Sequence, residues 1–499
     1  MADMTSGAAY KLIETVAAET LTFAVNASSE IQTNVSRLLA ILQRPVIDLF
    51  QLRAHVVSQG LPPQGLCAPS LRSLVWKLLL GILPPVRSEW TAACDRNRAT
   101  YEEYVYDLVH EPELIGYLRF GAPSPSSNKS TVEERFQLLE RVPTNDHPLA
   151  PPDSPSRWRR YWRDSEIFDQ VNKDVFRTRP DMEFFSLSTD TLTNAVTVRG
   201  RAVSMSDLGN EHTTSPKSHA FQVANVISPK SHYDRICRIL FMYAKLNFGY
   251  VQGMNELVAP LYYTLYNDPV EGHFVEADTF FGLTALMQEQ RDIFCKTLDE
   301  SSVGMAGRLG RLSDLLERED PEISAHLRSL GIKMDYFALR WTMLLFAQEF
   351  DISSVQVLWD AILSDQTPTC KISQGHLVNY LAVAMIRKVR EAVLAGDFTD
   401  TMRVLQRYPP FEPRELIKAA NTLRRGNVKN ESILSTASED VLAVIAPEVI
   451  RRQRSGNSRK SPKASLTSRV MNFVWGSGGT HRALPSPTVT VNKHTTLNL

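Results

Sequence analysis

Apolar residues along this chain recur mostly at helical spacing. Ile236, Leu240, Tyr243 and Ala244 fit an i, i+4, i+7, i+8 stripe, and so do Phe337, Trp341, Leu344 and Leu345. Val378, Leu381, Ala382, Met385 and Val389 carry the pattern through successive turns. Val355, Leu358, Trp359 and Ile362 follow Ser353, which with Gln356 has the form of a capping box. Strict apolar/polar alternation is confined to residues 196–203. The pattern predicts an all-α fold with these stripes turned inward.

Three stretches interrupt the helical body. Residues 121–156 are rich in Pro and Ser and read as a loop around one short helical piece. Residues 190–231 are rich in Thr, Ser and Asn and hold Ser-Pro-Lys-Ser twice, at 215–218 and 228–231. A structureless stretch of about 40 residues is unusual inside a compact domain, so this one is expected to be a surface insertion. Both repeats, and Ser461-Pro462-Lys463, have the form of proline-directed phosphorylation sites, but ordinary loop composition accounts for them more simply. The third stretch is the C-terminal tail.

Composition sharpens that division. At roughly 150 residues per domain, a 499-residue chain is either about three domains or one large helical domain with appendages. Lys plus Arg and Asp plus Glu are 55 each, so net charge gives no argument for a nucleic-acid or membrane partner. The balance is uneven, however. Residues 451–499 carry nine Lys or Arg and no acid, which leaves 46 basic against 55 acidic residues on the rest. The tail also holds Val470, Met471, Phe473, Val474 and Trp475, so peripheral contact with an anionic membrane is one reading and solvated disorder the plainer one. The richest apolar stretch, Leu74 to Val86, is broken by Lys77 and two prolines and falls short of the ~18 residues a membrane span needs. The N-terminus lacks the basic start and apolar block of a signal peptide, and five scattered cysteines form no metal-binding or disulfide spacing, so a cytoplasmic location is expected.

Common catalytic signatures are missing: there is no phosphate-binding GxxxxGK[ST] loop, HExxH, GxSxG, EF-hand loop or dinucleotide GxGxxG. Gly304, Gly307 and Gly310 have a spacing suited to close helix packing rather than to a phosphate cradle. Two segments stand out. A helix-like run from Tyr161, with Ile167, Val171 and Val175 on one face, should end near Arg177, because Pro180 follows closely. Asp174 lies three positions before Arg177 and can hold its guanidinium, although such pairs are also common helix stabilisers. The second segment, Gly249 to Asn255, follows the amphipathic run Tyr233 to Leu246. Its two glycines permit close backbone approach, and Gln252 offers a donor and an acceptor suited to orienting water. Taken alone it is equally a turn between helices.

Together the two segments resemble a known pair. VNKDVFRTRP matches the IxxDxxR motif (Val171, Asp174, Arg177) and GYVQGMNE matches the YxQ motif (Tyr250, Gln252) of the TBC domain, a Rab GTPase-activating fold. Further landmarks follow the family order: LRSLVWKLLLG with Arg72, Trp76 and Gly81, YWRDSEI with Trp162, FALRWTMLLFAQEF with Trp341, and VLWDAIL with Trp359. The resemblance runs over residues 45–425, with 1–44 as an N-terminal extension, 190–231 inserted, and 426–499 as a basic tail. A long insertion between the two motifs marks one branch of the family.

The resemblance implies a multi-helix TBC fold that accelerates GTP hydrolysis by a Rab GTPase. Arg177 would supply charge to the transferring phosphoryl group and Gln252 would position the attacking water, both in trans. Asp174 would orient Arg177, while Thr178, Tyr250, Gly253 and Asn255 would support the pair and the partner contact. GTP and Mg²⁺ would belong to the GTP-bound Rab, leaving this chain without cofactor or metal. A role in vesicle and endosomal traffic, including endocytic recycling, follows from the same resemblance, with the protein cytoplasmic or peripheral on those membranes. The alternative is a Rab-binding scaffold without catalysis, which has no need of both side chains. A nucleic-acid binder acting through the tail is disfavoured by the acidic body and the absence of any reading motif.

Overall fold

The computed structural model describes residues 13–22, 24, 27–62, 69–108, 157–189, 229–295, 301, 304–365 and 376–426. Among these, the architecture is helical, with no extended strand beyond two isolated bridges, Val46 with Val86 and Ser188 with Ser231. The helices are α1 (Ser29–Leu42), α2 (Leu49–Gln59), α3 (Pro69–Leu79), α4 (Trp90–Leu108), α5 (Arg157–Val175), α6 (His232–Leu246), α7 (Met254–Tyr266) and α8 (Val275–Phe294). They continue with α9 (Met305–Glu319), α10 (Pro321–Ser329), α11 (Ala338–Met343), α12 (Ile352–Ser364), α13 (His376–Lys388), α14 (Arg390–Ala395) and α15 (Phe398–Gln406). The all-α expectation holds.

The core is built around α6 and α7. Helix α6 buries Ile236, Ile239, Leu240 and Met242, and α7 buries Leu257, Val258, Leu261 and Tyr262. Helices buried on nearly every side belong at the centre of a fold, and here α7 packs on α8 and α3 while α6 packs on α5 and α8. Local chemistry fixes where α6 begins. The Ser231 hydroxyl accepts from the Asp234 N–H at 3.1 Å and the Asp234 carboxylate accepts from the Ser231 N–H at 3.0 Å, a reciprocal cap worth about 1 kcal/mol. The last serine of the second Ser-Pro-Lys-Ser unit is therefore a helix cap. Just before it, the Thr189 N–H donates to the Lys230 carbonyl at 2.7 Å, so the insertion leaves and re-enters the fold at one point.

Ile13, Val16, Val35, Leu38 and Leu42 belong to the same buried cluster as α6 and α7. The 121–156 loop, the alternation at 196–203, residues 215–218, Ser461 and the basic tail lie outside the described residues.

Three expectations are corrected. The stripe through Leu344 and Leu345 does not continue one helix: α11 stops at Met343, and Leu345 and Phe346 take positive φ of 49° and 64°. They are core residues of a turn, held because the Trp359 indole donates to the Leu345 carbonyl at 3.0 Å. Helix α12 is capped by Asp351, whose carboxylate accepts from the Ser354 N–H at 3.0 Å and the Ser354 hydroxyl at 2.8 Å, rather than by Ser353 with Gln356. Gly304 is the N-cap of α9, and a Cβ at Gly310 would meet nothing within 4 Å, so that spacing does not mark close helix packing at Gly310.

Candidate functional site

Helix α5 ends at Val175, and the chain turns with Thr178 N–H on the Val175 carbonyl before Pro180. This places Arg177 beyond the helix, with its side chain 72% exposed, while Asp174 stays buried beneath it. The Arg177 Nη2 donates to Asp174 Oδ1 at 2.7 Å and its Nε to the Lys173 carbonyl at 2.9 Å. The guanidinium is thus held at its base and open at its tip.

The second segment forms the start of α7. Gly253 is the N-cap with φ 104°, and a Cβ there would come within 2.8 Å of Leu344 Cδ2, so glycine is demanded by both conformation and space. Gln252 precedes it on the surface, exposed. Tyr250 turns inward, its hydroxyl 2.9 Å from Asp174 Oδ2 and 3.1 Å from Asn255 Oδ1. Burial, then the neighbouring Asp174 carboxylate, pushes the Tyr250 phenol well above its ordinary pKa, so it is a donor at any physiological pH.

Asn255 completes the link. Its Nδ2 donates to Thr178 Oγ1 at 2.8 Å, and its Oδ1 accepts from the Gly253 N–H at 3.0 Å. Thr178 is fully buried and donates to the Asp174 carbonyl at 3.0 Å. One polar network therefore ties the end of α5 to the start of α7. Arg177, Gln252, Asp174, Gly253 and Asn255 line a common cleft of about 360 Å³ with Glu256, Arg340 and Gln348. A second cleft of about 370 Å³ opens on the other side of Arg177.

The tryptophan and arginine landmarks serve the scaffold. Asp360 on α12 accepts from Arg72 Nη2 at 3.1 Å and from the Trp76 indole at 2.8 Å, all three buried, while Trp76 stacks on Trp359 with ring centroids 5.8 Å apart. Burial raises the Asp360 pKa, with Arg72 and Trp76 opposing that rise. Trp341 is fully buried, edge-on to Phe337 and Tyr408. Trp162 lies within α5, and the placement of its side chain is outside the described residues.

Three residues of the site were not legible in the sequence. Arg179 is buried, with φ 49°, and its Nη1 donates to the Ala347 and Phe350 carbonyls at 2.9 and 2.8 Å, fastening the loop after Arg177 to the turn before α12. Glu256 is a buried carboxyl whose pKa burial raises, and Gln348 is an exposed side chain that lines the same clefts. Nothing in the local sequence marks them; their partners lie far along the chain. Among the described residues, no group of three His, Cys, Asp or Glu side chains could hold a metal ion, and no helix is long and apolar enough to cross a membrane.

The Rab-GTPase-TBC domain family matches residues 216–394, a range that includes the Gln252 loop. The chain is 34% identical over 427 residues to TBC1 domain family member 13 of Homo sapiens, covering 80% of this chain and 99% of that protein. It is 28% identical over 461 residues to a TBC domain-containing protein of Schizosaccharomyces pombe, covering 76% of this chain and 70% of the other. Its backbone shares the fold of the Ypt/Rab-GAP domain of Gyp1p, with a TM-score of 0.54 and 20% identity over 80% of this chain and 99% of that one. The chain belongs to the TBC domain family.

Proposed function

We propose that this protein is a GTPase-activating protein for a Rab-family small GTPase, to which it lends Arg177 and Gln252. The observation that carries this reading is the shared Asp174 carboxylate. One oxygen holds the exposed Arg177 and the other holds Tyr250, which stands two residues before the exposed Gln252. Two polar side chains are thereby displayed into one cleft from loops anchored at the ends of α5 and α7, and groups with locked supports are what a catalytic contact in trans requires.

The chemistry follows from the reaction. Phosphoryl transfer from GTP spreads negative charge over the transferring oxygens, and an arginine brought to it in trans is worth about 10³ to 10⁵ in rate. Arg177 is that cation. The Gln252 amide has a donor and an acceptor, so it orients the attacking water between itself and the phosphoryl group. Mg²⁺ and the nucleotide belong to the GTPase, and this chain binds no cofactor of its own. A Rab partner in turn implies work at vesicle or endosomal membranes.

The test is a panel of purified Rab proteins loaded with GTP, each followed for phosphate release with and without the full chain. Acceleration of at least one supports the reading. Binding to a GTP-loaded Rab with no acceleration anywhere would make the protein a scaffold instead.

A further inference from the structure

The turn between α11 and α12 is strained and yet closely held. Leu345 and Phe346 are consecutive non-glycine residues at φ 49° and 64°, a conformation that costs on the order of 1–3 kcal/mol per residue. Both are fully buried. Two contacts hold them directly, the Trp359 indole on the Leu345 carbonyl and the Phe346 N–H on the Trp341 carbonyl at 3.0 Å, and the Arg179 guanidinium holds the rest of the turn through the Ala347 and Phe350 carbonyls. On its outer side Glu349 accepts from Arg340 Nη2 at 2.9 Å, and Arg340 reaches on to the Gln406 carbonyl at 2.9 Å. Backbone kept in a costly conformation by so many partners points to a reason beyond packing.

What the turn displays is Gln348. It is the exposed residue among buried or half-buried neighbours, and it lines both clefts that flank Arg177. Its amide offers both a donor and an acceptor there, beside the Glu256 carboxyl that lines the same two clefts.

We propose that Gln348 is a specificity-determining contact to the GTPase, its side-chain amide hydrogen-bonding to a polar group on the docked partner beside Arg177. The proposal rests on the reading of the chain as a Rab GTPase activator. Gln348 binds the partner and takes no part in moving charge or water, so its loss weakens docking rather than the chemical step. Arg179 fixes the turn that offers it. A GTPase presenting an apolar group at that spot would be discriminated against, because the amide would lose its hydrogen bonds to water without replacement.

The experiment is steady-state GTP hydrolysis by a Rab that the wild-type chain activates, across a range of GTP-loaded Rab concentrations, for Gln348→Met and Gln348→Glu. The methionine keeps the length and removes both hydrogen-bonding ends, and KM is expected to rise about two- to tenfold, one hydrogen bond's worth, with kcat within twofold. The glutamate places a carboxylate against Glu256 and is expected to raise KM at least as much. An unchanged KM in both variants, or a fall in kcat at constant KM, overturns the contact. A wild-type chain that activates no Rab overturns the reading beneath it, and the wild-type control separates the two failures.

Discussion

The phenol of Tyr250 sits 2.9 Å from the carboxylate of Asp174, a residue 76 positions earlier, and this bond, with that of Asn255 to Thr178, joins the segment carrying Arg177 to the segment carrying Gln252. Tyr250→Phe keeps the ring and deletes the donor. A hydrogen bond to a buried carboxylate contributes about 1.5–3 kcal/mol, so urea unfolding is expected to show a loss of that order. Activation of the Rab should fall mainly in kcat, since Asp174 loses one of the two contacts that fix it beneath Arg177. Equal stability and equal kcat in the variant would mean that the bond holds nothing.

Gly253→Ala tests the backbone beneath Gln252. The added methyl group enters at positive φ and within 2.8 Å of the Leu344 side chain. The combined strain is expected to cost about 1–3 kcal/mol and to shift the Gln252 loop, so activation should drop even where the variant remains folded at assay temperature. Gly249→Ala is the contrasting case: it shares the positive φ but its Cβ meets nothing within 4 Å, and it should cost less.

Stability should depend on His232 below neutral pH. Its ring stacks on Phe184 with centroids 4.3 Å apart and lies 2.8 Å from the Tyr262 hydroxyl. Burial, with Arg235 adding to it, lowers its pKa from 6.5 to about 4. The unfolded chain therefore takes up a proton that the folded chain refuses. The stabilisation is complete above pH 6.5 and is lost as pH falls toward 4, by up to about 3 kcal/mol. Urea midpoints measured at pH 7 and pH 5 should differ for the wild type and differ less for His232→Gln.

The sequence reveals helices where the local pattern and the tertiary environment agree, as in α6, whose stripe through Ile236 and Tyr243 and whose Ser231 cap are both local. It misleads where a core residue reaches the core without a helix. Leu344 and Leu345 complete a helical stripe, but Trp359 and Arg179 hold that stretch as a turn, and neither partner is near in sequence. The start of α12 was displaced because Asp351 and Ser353 are both good caps and only geometry chooses between them. Among the site residues, the Arg177 and Gln252 segments were visible through their motifs, and Asp174 through its i, i+3 spacing. Gln348 and Glu256 were not, because a cleft between distant segments leaves no periodic trace.

The central claim is that Arg177 and Gln252 act on a GTPase in trans, and single-turnover GTP hydrolysis tests it most directly. A Rab activated by the wild-type chain is mixed with excess Arg177→Ala, Gln252→Ala or the double variant, and phosphate release is followed. Arg177→Ala is expected to lose about 10³-fold or more of the acceleration, and Gln252→Ala most of it; the melting temperature should be unchanged for Gln252→Ala, whose side chain is exposed, and lowered modestly for Arg177→Ala, which leaves the buried Asp174 without its ion pair. Variants as active as the wild type would contradict the account.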